Sequence, residues 1–394
     1  MSRVFVAGVG MIPFAKPGAS KAYHEMGAEA ARLALEDAGV VYAAVEQAYA
    51  GYVYGDSTCG QRALYALGMT GIPVFNVNNN CSTGSTALFL ARQAVASGAA
   101  DCVLAVGFEQ MKPGALGSVF TDRPSAFEPF DKACDELVGR PEIPLALRYF
   151  GGAGLAHMKQ YGTKLETFAK IRAKASRHAM RNPLALFRKE VTTEEVLASP
   201  VIWEGVMTRL MACPPTCGGA AALLVSEGFA RKHGLSTRVA LAAQAMATDT
   251  ASTFEGHDMR KVVGFDMAKA AAEQVYAQAG IGPEDVQVVE LHDCFAQNEL
   301  LSYEALGLCA EGGAEKFVED GDNTYGGKYV TNPSGGLLCK GHPLGATGLA
   351  QCFELTQQLR GTAGDRQVEG ARIALQHNLG LGGACVVTLY TAEA

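Results

Sequence analysis

The chain says part of itself twice. "ALEDAGVVYAAVEQAYAGYVYG" at 34–55 and "VYAQAGIGPEDVQVVELHDCFA" at 275–296 follow one plan: the end of an amphipathic helix, an Ala-Gly stop, a short polar connection and an apolar strand. With Gly39 laid on Gly280, Val45 falls on Val286 and Gly51 on His292 without a gap. A second pair, "CSTGSTAL" at 81–88 against "HPLGATGL" at 342–349, sets Gly84 on Gly345, Thr86 on Thr347, Leu88 on Leu349 and Cys81 on His342. Both lead into strands, "DCVLAVGFE" at 101–109 and "ARIALQHNLG" at 371–380, while "RVFVAGVG" at 3–10 and "RVALAAQA" at 238–245 open the two copies. Duplicated alternation of strand and helix predicts two α/β halves with largely parallel sheets. Packed about a pseudo-two-fold axis, they bring corresponding helix entries face to face, and Cys81 meets His342.

The halves account for 1–111 with 211–232, and for 233–394. Residues 112–210, richer in Pro, Arg and Lys and carrying helical stretches such as "KLETFAKIRAKASRHAM", read as an inserted loop domain; "CGGAAALLVS" at 217–226 reads as a buried strand or helix start closing the first half. A net charge of -7 gives no basic face for nucleic acid. No Lys/Arg cluster marks a membrane patch, and no apolar run approaches the ~18 residues of a membrane span. Eleven cysteines without C-x-x-C pairing favour free thiols in a reducing compartment. "CPPTC", Cys213 to Cys217, lacks a second ligand pair, so no metal is expected there. The N-terminus lacks a signal-peptide pattern and "TAEA" is not a peroxisomal address, so the expected location is cytoplasmic.

Chemistry concentrates at a few places. Cys81 stands just before a helix, where unsatisfied N–H groups and the helix dipole lower a thiol pKa; a lone cysteine there is more often a buried one at a crowded helix entry, but a histidine at the equivalent repeat position supplies a base. "HDCF", His292 to Phe295, follows an apolar strand, and open α/β sheets place ligands beyond the C-terminal ends of strands. Asp293 reads as a cap for the next helix, a role that does not explain His292 and Cys294. The glycine-dense "GGLLCKGHPLGATG" at 335–348 lets backbone approach a ligand, without P-loop spacing. "HNLGLGGACV" at 377–386 offers N–H groups for an oxyanion, or a plain β-turn. Gly8 and Gly10 suggest a dinucleotide fingerprint that Pro13 interrupts.

Taken together, "NNNCSTGSTAL", "HDCF", "NPSGGLLCKGHPLGATG" and "HNLGLGG" resemble the thiolase superfamily, most closely its sterol carrier protein X type, over nearly the whole chain. The resemblance implies a thiolase fold: two duplicated α/β halves in a five-layered αβαβα structure with an inserted loop domain. It implies Cys81 as acyl-accepting nucleophile and His342 as its base. The C-x-G motif of most thiolases reads Asn378-Leu379-Gly380 here, so Cys294 of "HDCF" inherits the acid/base role. His292 and His342 would form one oxyanion hole, and the N–H groups of Cys81 and Gly380 another. The implied reaction is cleavage of a 3-oxoacyl-CoA by CoA, with coenzyme A as substrate and no tightly bound cofactor. Asn378 is a further candidate contact, and Lys174 and Arg177 are candidates for the CoA phosphates. Gly218 stands where thiolases usually carry aspartate. A homodimer, possibly a tetramer, is expected by analogy. The chain ends where the thiolase part of the sterol-carrier type ends, so a fused lipid-carrier domain is not expected.

Two other readings stay open on the residues alone. Cys81, His292 and His342 also form the set used by ketosynthase-like condensing enzymes, and a thiolase-like chain can act as a non-catalytic or lipid-transfer protein, work only with a small accessory protein, or perform retro-aldol cleavage. Acyl chain length, branching and direction are not written in the motifs.

Overall fold

The computed structural model describes residues 2–393 except 115, 116, 118 and 119. Its strands are β1 Val4–Met11, β2 Gln47–Gly51, β3 Val74–Val77, β4 Cys102–Glu109, β5 Val201–Trp203, β6 Met207–Thr208, β7 Gly218–Ser226, β8 Val239–Ala247, β9 Val288–Glu290, β10 Val330–Thr331, β11 Ile373–Gly380 and β12 Ala384–Ala392. All but the β5–β6 pair join in the order β10-β9-β11-β12-β8-β1-β7-β4-β2-β3. Read outward from the β1–β8 seam, both directions show the same pattern: two antiparallel pairings, then two parallel ones. The duplication read from the motifs is therefore a duplication of topology. The single-turn helices Tyr42–Ala44 and Pro283–Asp285 even keep the offset that puts Gly39 on Gly280.

The expectation of largely parallel sheets needs correction, because each half is mixed. β11 and β12 are joined by only Leu381-Gly382-Gly383, with both glycines at positive φ, and so short a link imposes an antiparallel pair. Strand β7, buried along its whole length, runs antiparallel to both β1 and β4.

Helix Tyr23–Ala38 covers β1 and β7, and helix Phe265–Ala279 covers β8 and β12. Between the two sheet halves lie helices Thr83–Ser97 and Thr347–Arg360, packed on one another, which completes five alternating layers. Glycine permits that approach. A Cβ on Gly84 would come within 2.8 Å of the Gly345 carbonyl oxygen, and one on Gly107 within 2.0 Å of the same atom. Gly84 and Gly345, equivalent in the repeat, thus touch where the halves cross.

The excursion 112–210 carries helices Glu128–Val138, Leu145–Tyr161 and Leu165–Ala179. It does not own a separate core: Phe150, Phe168 and Ile171 belong to one buried cluster with Phe295, Leu301 and Leu338 of the second half. The Phe150 and Phe295 rings stack at 4.9 Å. Anchored this way, the excursion fixes the loop that follows β9. Among the described residues, no helix is long and apolar enough to cross a membrane.

Candidate active site

Cys81 enters helix Thr83–Ser97 from a tightly wound loop. Asn80, directly before it, adopts φ +50, a left-handed turn that asparagine tolerates. The loop is tied down by Ser82 Oγ donating to Asn79 O at 2.8 Å and by Asn80 Nδ2 donating across the molecule to Leu381 O at 3.2 Å. Gly380 presses on the same loop, where a Cβ would stand 2.3 Å from Asn79 O. The sulfur, one ring nitrogen of His292 and one of His342 are three ligand-type atoms all within 4.8 Å of one another. The two rings meet edge to face, centroids 5.0 Å apart.

The expected ionised thiol is corrected by its surroundings. Burial, and then the negative charge of Glu109, push Cys81 up to about 12, and the backbone hydrogen bond at the helix entry offsets only part of this. Burial also lowers His342 to about 3, while burial and the neighbouring rings of His342 and His377 hold His292 well below the usual imidazole range. The resting site is thus a neutral thiol beside two neutral imidazoles, and any proton leaving sulfur must move as the sulfur reacts.

Hydrogen bonds give the two imidazoles opposite roles. Thr347 Oγ1 donates its proton to Pro343 O at 3.0 Å, so its contact of 2.7 Å with His342 Nδ1 is one in which the ring donates. His342 Nε2 is left with a free lone pair. Asn378 Oδ1 accepts from Ser85 Oγ at 2.8 Å, which turns its Nδ2 toward His292 Nδ1 at 3.0 Å. His292 therefore carries its proton on Nε2. Among the described residues, both Nε2 atoms are buried without a protein partner. One is a base and the other a donor, and buried groups of that kind are expensive unless something else engages them.

Glu109, at the end of β4, was not picked out in the sequence. Its fully buried carboxylate accepts from the backbone N–H groups of Val53, Tyr54 and Gly345 at 3.2, 3.1 and 2.9 Å, fastening the loop after β2 to the histidine loop of the other half. Burial raises it from 4.5 to about 7, against those three N–H bonds. Between these values the folded protein binds more protons than the unfolded chain, so this group's contribution to stability is complete below pH 4.5 and is lost as pH rises to 7. The shift corresponds to about 3 kcal/mol at most. In Glu109→Gln the fall in melting temperature over that window is expected to flatten, and Cys81 alkylation by iodoacetamide at pH 8 to become several-fold faster. An unchanged alkylation rate would mean that the carboxylate charge does not act on the sulfur.

The remaining candidates divide. Cys294 is buried, its thiol raised well above the usual range by burial, then by Cys213, Cys81 and Asp293. Cys213, assigned no role from the sequence beyond the absent metal motif, lies opposite Cys294, its N–H donating to Cys294 O at 2.9 Å. Asp293 does not cap the helix that follows it. Its oxygens accept from Leu337 and Leu338 N–H at 2.7 and 3.3 Å, capping the short helix Gly336–Cys339 that leads to His342. Lys174 does not fit a phosphate contact: it is 2 % exposed and its ammonium is bonded to Glu299 and Thr331. Arg177 is exposed on the same helix, lining a cleft with Lys170 and Thr193. Gly218 has a steric reason, since a Cβ there would lie 2.3 Å from the Phe14 ring and an aspartate would collide with it. Thr347 and Ser85, which set the tautomers, were visible only as letters of the repeated motif.

Family models for "Thiolase, N-terminal domain" and "Thiolase C-terminal domain-like" match residues 4–137 and 247–390. Sterol carrier protein 2 of Oryctolagus cuniculus is 57% identical over 99% of this chain and 72% of its own length. Acetyl-CoA acetyltransferase of Methanothermobacter thermautotrophicus is 35% identical over 94% of each chain. Among solved structures, the Ltp2-ChsH2(DUF35) aldolase superposes with TM-score 0.83 at 22% identity, covering 99% of this chain and 98% of that one. Human mitochondrial 3-ketoacyl-CoA thiolase in complex with CoA gives 0.74 at 18%, covering 100% and 98%. At these identities the two structures bear on the fold alone.

Proposed function

The chain belongs to the thiolase family, and from that premise we propose that it cleaves 3-oxoacyl-CoA with CoA, giving a shortened acyl-CoA plus acetyl-CoA, or propionyl-CoA from a 2-methyl substrate. The observation that carries this reading is the pair of buried, unpartnered Nε2 atoms, one acceptor and one donor, on two histidines whose rings each bring a nitrogen within 4.8 Å of the Cys81 sulfur.

Cys81 Sγ attacks the C3 carbonyl as its proton passes to His342 Nε2. The oxygen charge that develops at C3 is held by the N–H groups of Cys81 and Gly380. When the C2–C3 bond breaks, its electron pair leaves as the enolate of the departing acyl-CoA. Its thioester oxygen then faces two donors, His292 Nε2–H and the newly protonated His342. Cys294 gives its proton to C2; a thiol kept so far above the usual range stays protonated until a carbanion appears. CoA next loses its thiol proton to the Cys294 thiolate and attacks the acyl group on Cys81. The leaving sulfur recovers its proton from His342, and every group is restored.

In this reading coenzyme A is a substrate and no bound cofactor is required. A homodimer is expected by analogy, and what supports it is edge strand β3, where Phe75 is exposed and stacked on Tyr49. The experiment that tests the function offers the purified protein 3-oxoacyl-CoA esters, straight, branched and steroidal, with CoA, and separately malonyl thioesters. Thiolytic cleavage is expected. Decarboxylation of malonyl thioesters without cleavage would make it a condensing enzyme, and neither activity with or without a small accessory protein would end the catalytic reading.

A further inference from the structure

The cluster formed by Cys81, His292 and His342 has a second chemical meaning. One sulfur and two imidazoles, with one ligand atom from each within 4.8 Å of one another, form a soft-to-borderline donor set. No two of the three residues are close in the chain, so no ligand spacing in the sequence announces them. We propose that the thiolase site is also a binding site for a thiophilic divalent cation, zinc foremost, which is held by Cys81 Sγ and the Nε2 atoms of His292 and His342 and thereby blocks the nucleophile.

Three features support this. Among the described residues the buried His342 Nε2 lone pair has no partner and a cation would satisfy it, and His292 Nε2, equally unpartnered, becomes a second such lone pair once its proton moves to Nδ1. His342 is ready as a ligand: its Nδ1–H is bonded to Thr347, which leaves Nε2 with a lone pair that is buried and unpartnered. The Glu109 carboxylate, bonded at 2.9 Å to the Gly345 N–H just beyond His342, brings negative charge to bear on Cys81, which disfavours a bare thiolate but favours a dication beside it. Zinc bonds of about 2.0–2.3 Å need the three donors to close by about an ångström, a side-chain adjustment. Binding is balanced by one proton: the Cys81 S–H bond breaks, an S–Zn bond forms, and the proton leaves to solvent, so binding strengthens as pH rises.

His292 is the less prepared ligand, and it supplies the discriminating test. To bind through Nε2 it must move its proton to Nδ1, where Asn378 at present offers an N–H. A carboxylate at that position would accept the Nδ1 proton and complete a carboxylate–histidine–metal relay. Asn378→Asp is therefore expected to bind zinc about 10–100-fold more tightly while cleaving substrate more slowly.

The experiment is equilibrium dialysis of the reduced full chain against Zn2+ in the absence of CoA, with Co2+ in parallel for its thiolate charge-transfer absorption. One tight ion per chain is expected, absent with Mg2+, removed by EDTA, and excluded once Cys81 has been acylated or alkylated. Cys81→Ser and His342→Gln should each weaken it more than about a hundredfold, beyond the range of an outer-shell loss. Unchanged affinity in Cys81→Ser would place the ion on other thiols and overturn the proposal, as would Asn378→Asp binding more weakly than the parent. The block on catalysis rests on the thiolase reading, but the binding does not. A chain that cleaves substrate yet holds no ion overturns this proposal alone, and one that holds the ion without cleaving anything overturns the function alone.

Discussion

Cys81→Ala is expected to abolish formation of an acyl-enzyme and to lower kcat by about four orders of magnitude or more, as loss of a covalent nucleophile does when the other groups can act only through it. Intact-mass spectrometry after mixing with acyl-CoA should show one acyl adduct on the parent protein and none on the variant. The loss of the adduct in the variant identifies the residue even though Cys294 and Cys213 lie close by, and Cys102, Cys339, Cys352 and Cys385 are buried elsewhere in packing, their thiols pushed up by burial. A variant acylated to the same extent as the parent would remove Cys81 from the reaction. Because the resting thiol is neutral, the alkylation rate of the parent should keep rising well above pH 9 rather than levelling near neutrality. A plateau near pH 7 would mean a thiolate already present in the resting enzyme.

Gly345→Ala is expected to cost more than about 4 kcal/mol, enough to lower the melting temperature by on the order of 10 °C or to prevent folding. The added methyl would stand 2.4 Å from Phe108 O and 2.7 Å from Gly51 O, both main-chain atoms of the opposite half with no rotamer to yield. Gly228→Ala is the control. Nothing but the far side of the Ser226 hydroxyl, 3.9 Å away, approaches that position, which lies inside helix Glu227–His233, so alanine there should stabilise by roughly 0.5–1 kcal/mol. A Gly345→Ala protein with parental thermal stability and soluble yield would show that the two halves do not depend on that contact.

Much of this fold was legible because the copies kept their spacing. Gly39 and Gly280 close equivalent helices, and the elements after them recur at one offset through β2 and β9. Strand direction was less legible. Nothing local to "GGAAALLVS" says that it runs between β1 and β4 against both, since direction depends on where a long excursion returns. The meeting of Cys81 with His342 followed from laying one motif on the other. What the motifs withheld was orientation and charge. The proton-accepting face of His342 depends on which way the Thr347 hydroxyl points, and that of His292 on Ser85, far away in sequence. Lys174 looked like an exposed cation because its helix is rich in Lys and Arg, but the face it shares with Phe168 and Ile171 is turned inward onto Glu299. The elevated Cys81 thiol is a matter of burial beside Glu109, a residue that in sequence merely ends an apolar strand.

The seam has a mechanical meaning. β1 and β8 are in register only at Phe5 and Ala240, whereas β1 follows β7 from Val4 to Met11. At the β1–β8 seam few main-chain bonds span the midline, and cohesion falls to the buried apolar cluster that joins Leu88 and Val95 to Leu349 and Leu355, to the glycine crossing and to ties such as Arg360 with Asp37 at 2.6 Å. The two lobes behave as subunits docked within a single polypeptide. In the proposed reaction the sulfur rides on one lobe and both imidazoles on the other, so a slip of about an ångström along the midline is expected to leave every helix and strand intact but forfeit about a hundredfold in rate. Turnover is therefore a finer gauge of lobe docking than any spectrum of secondary structure.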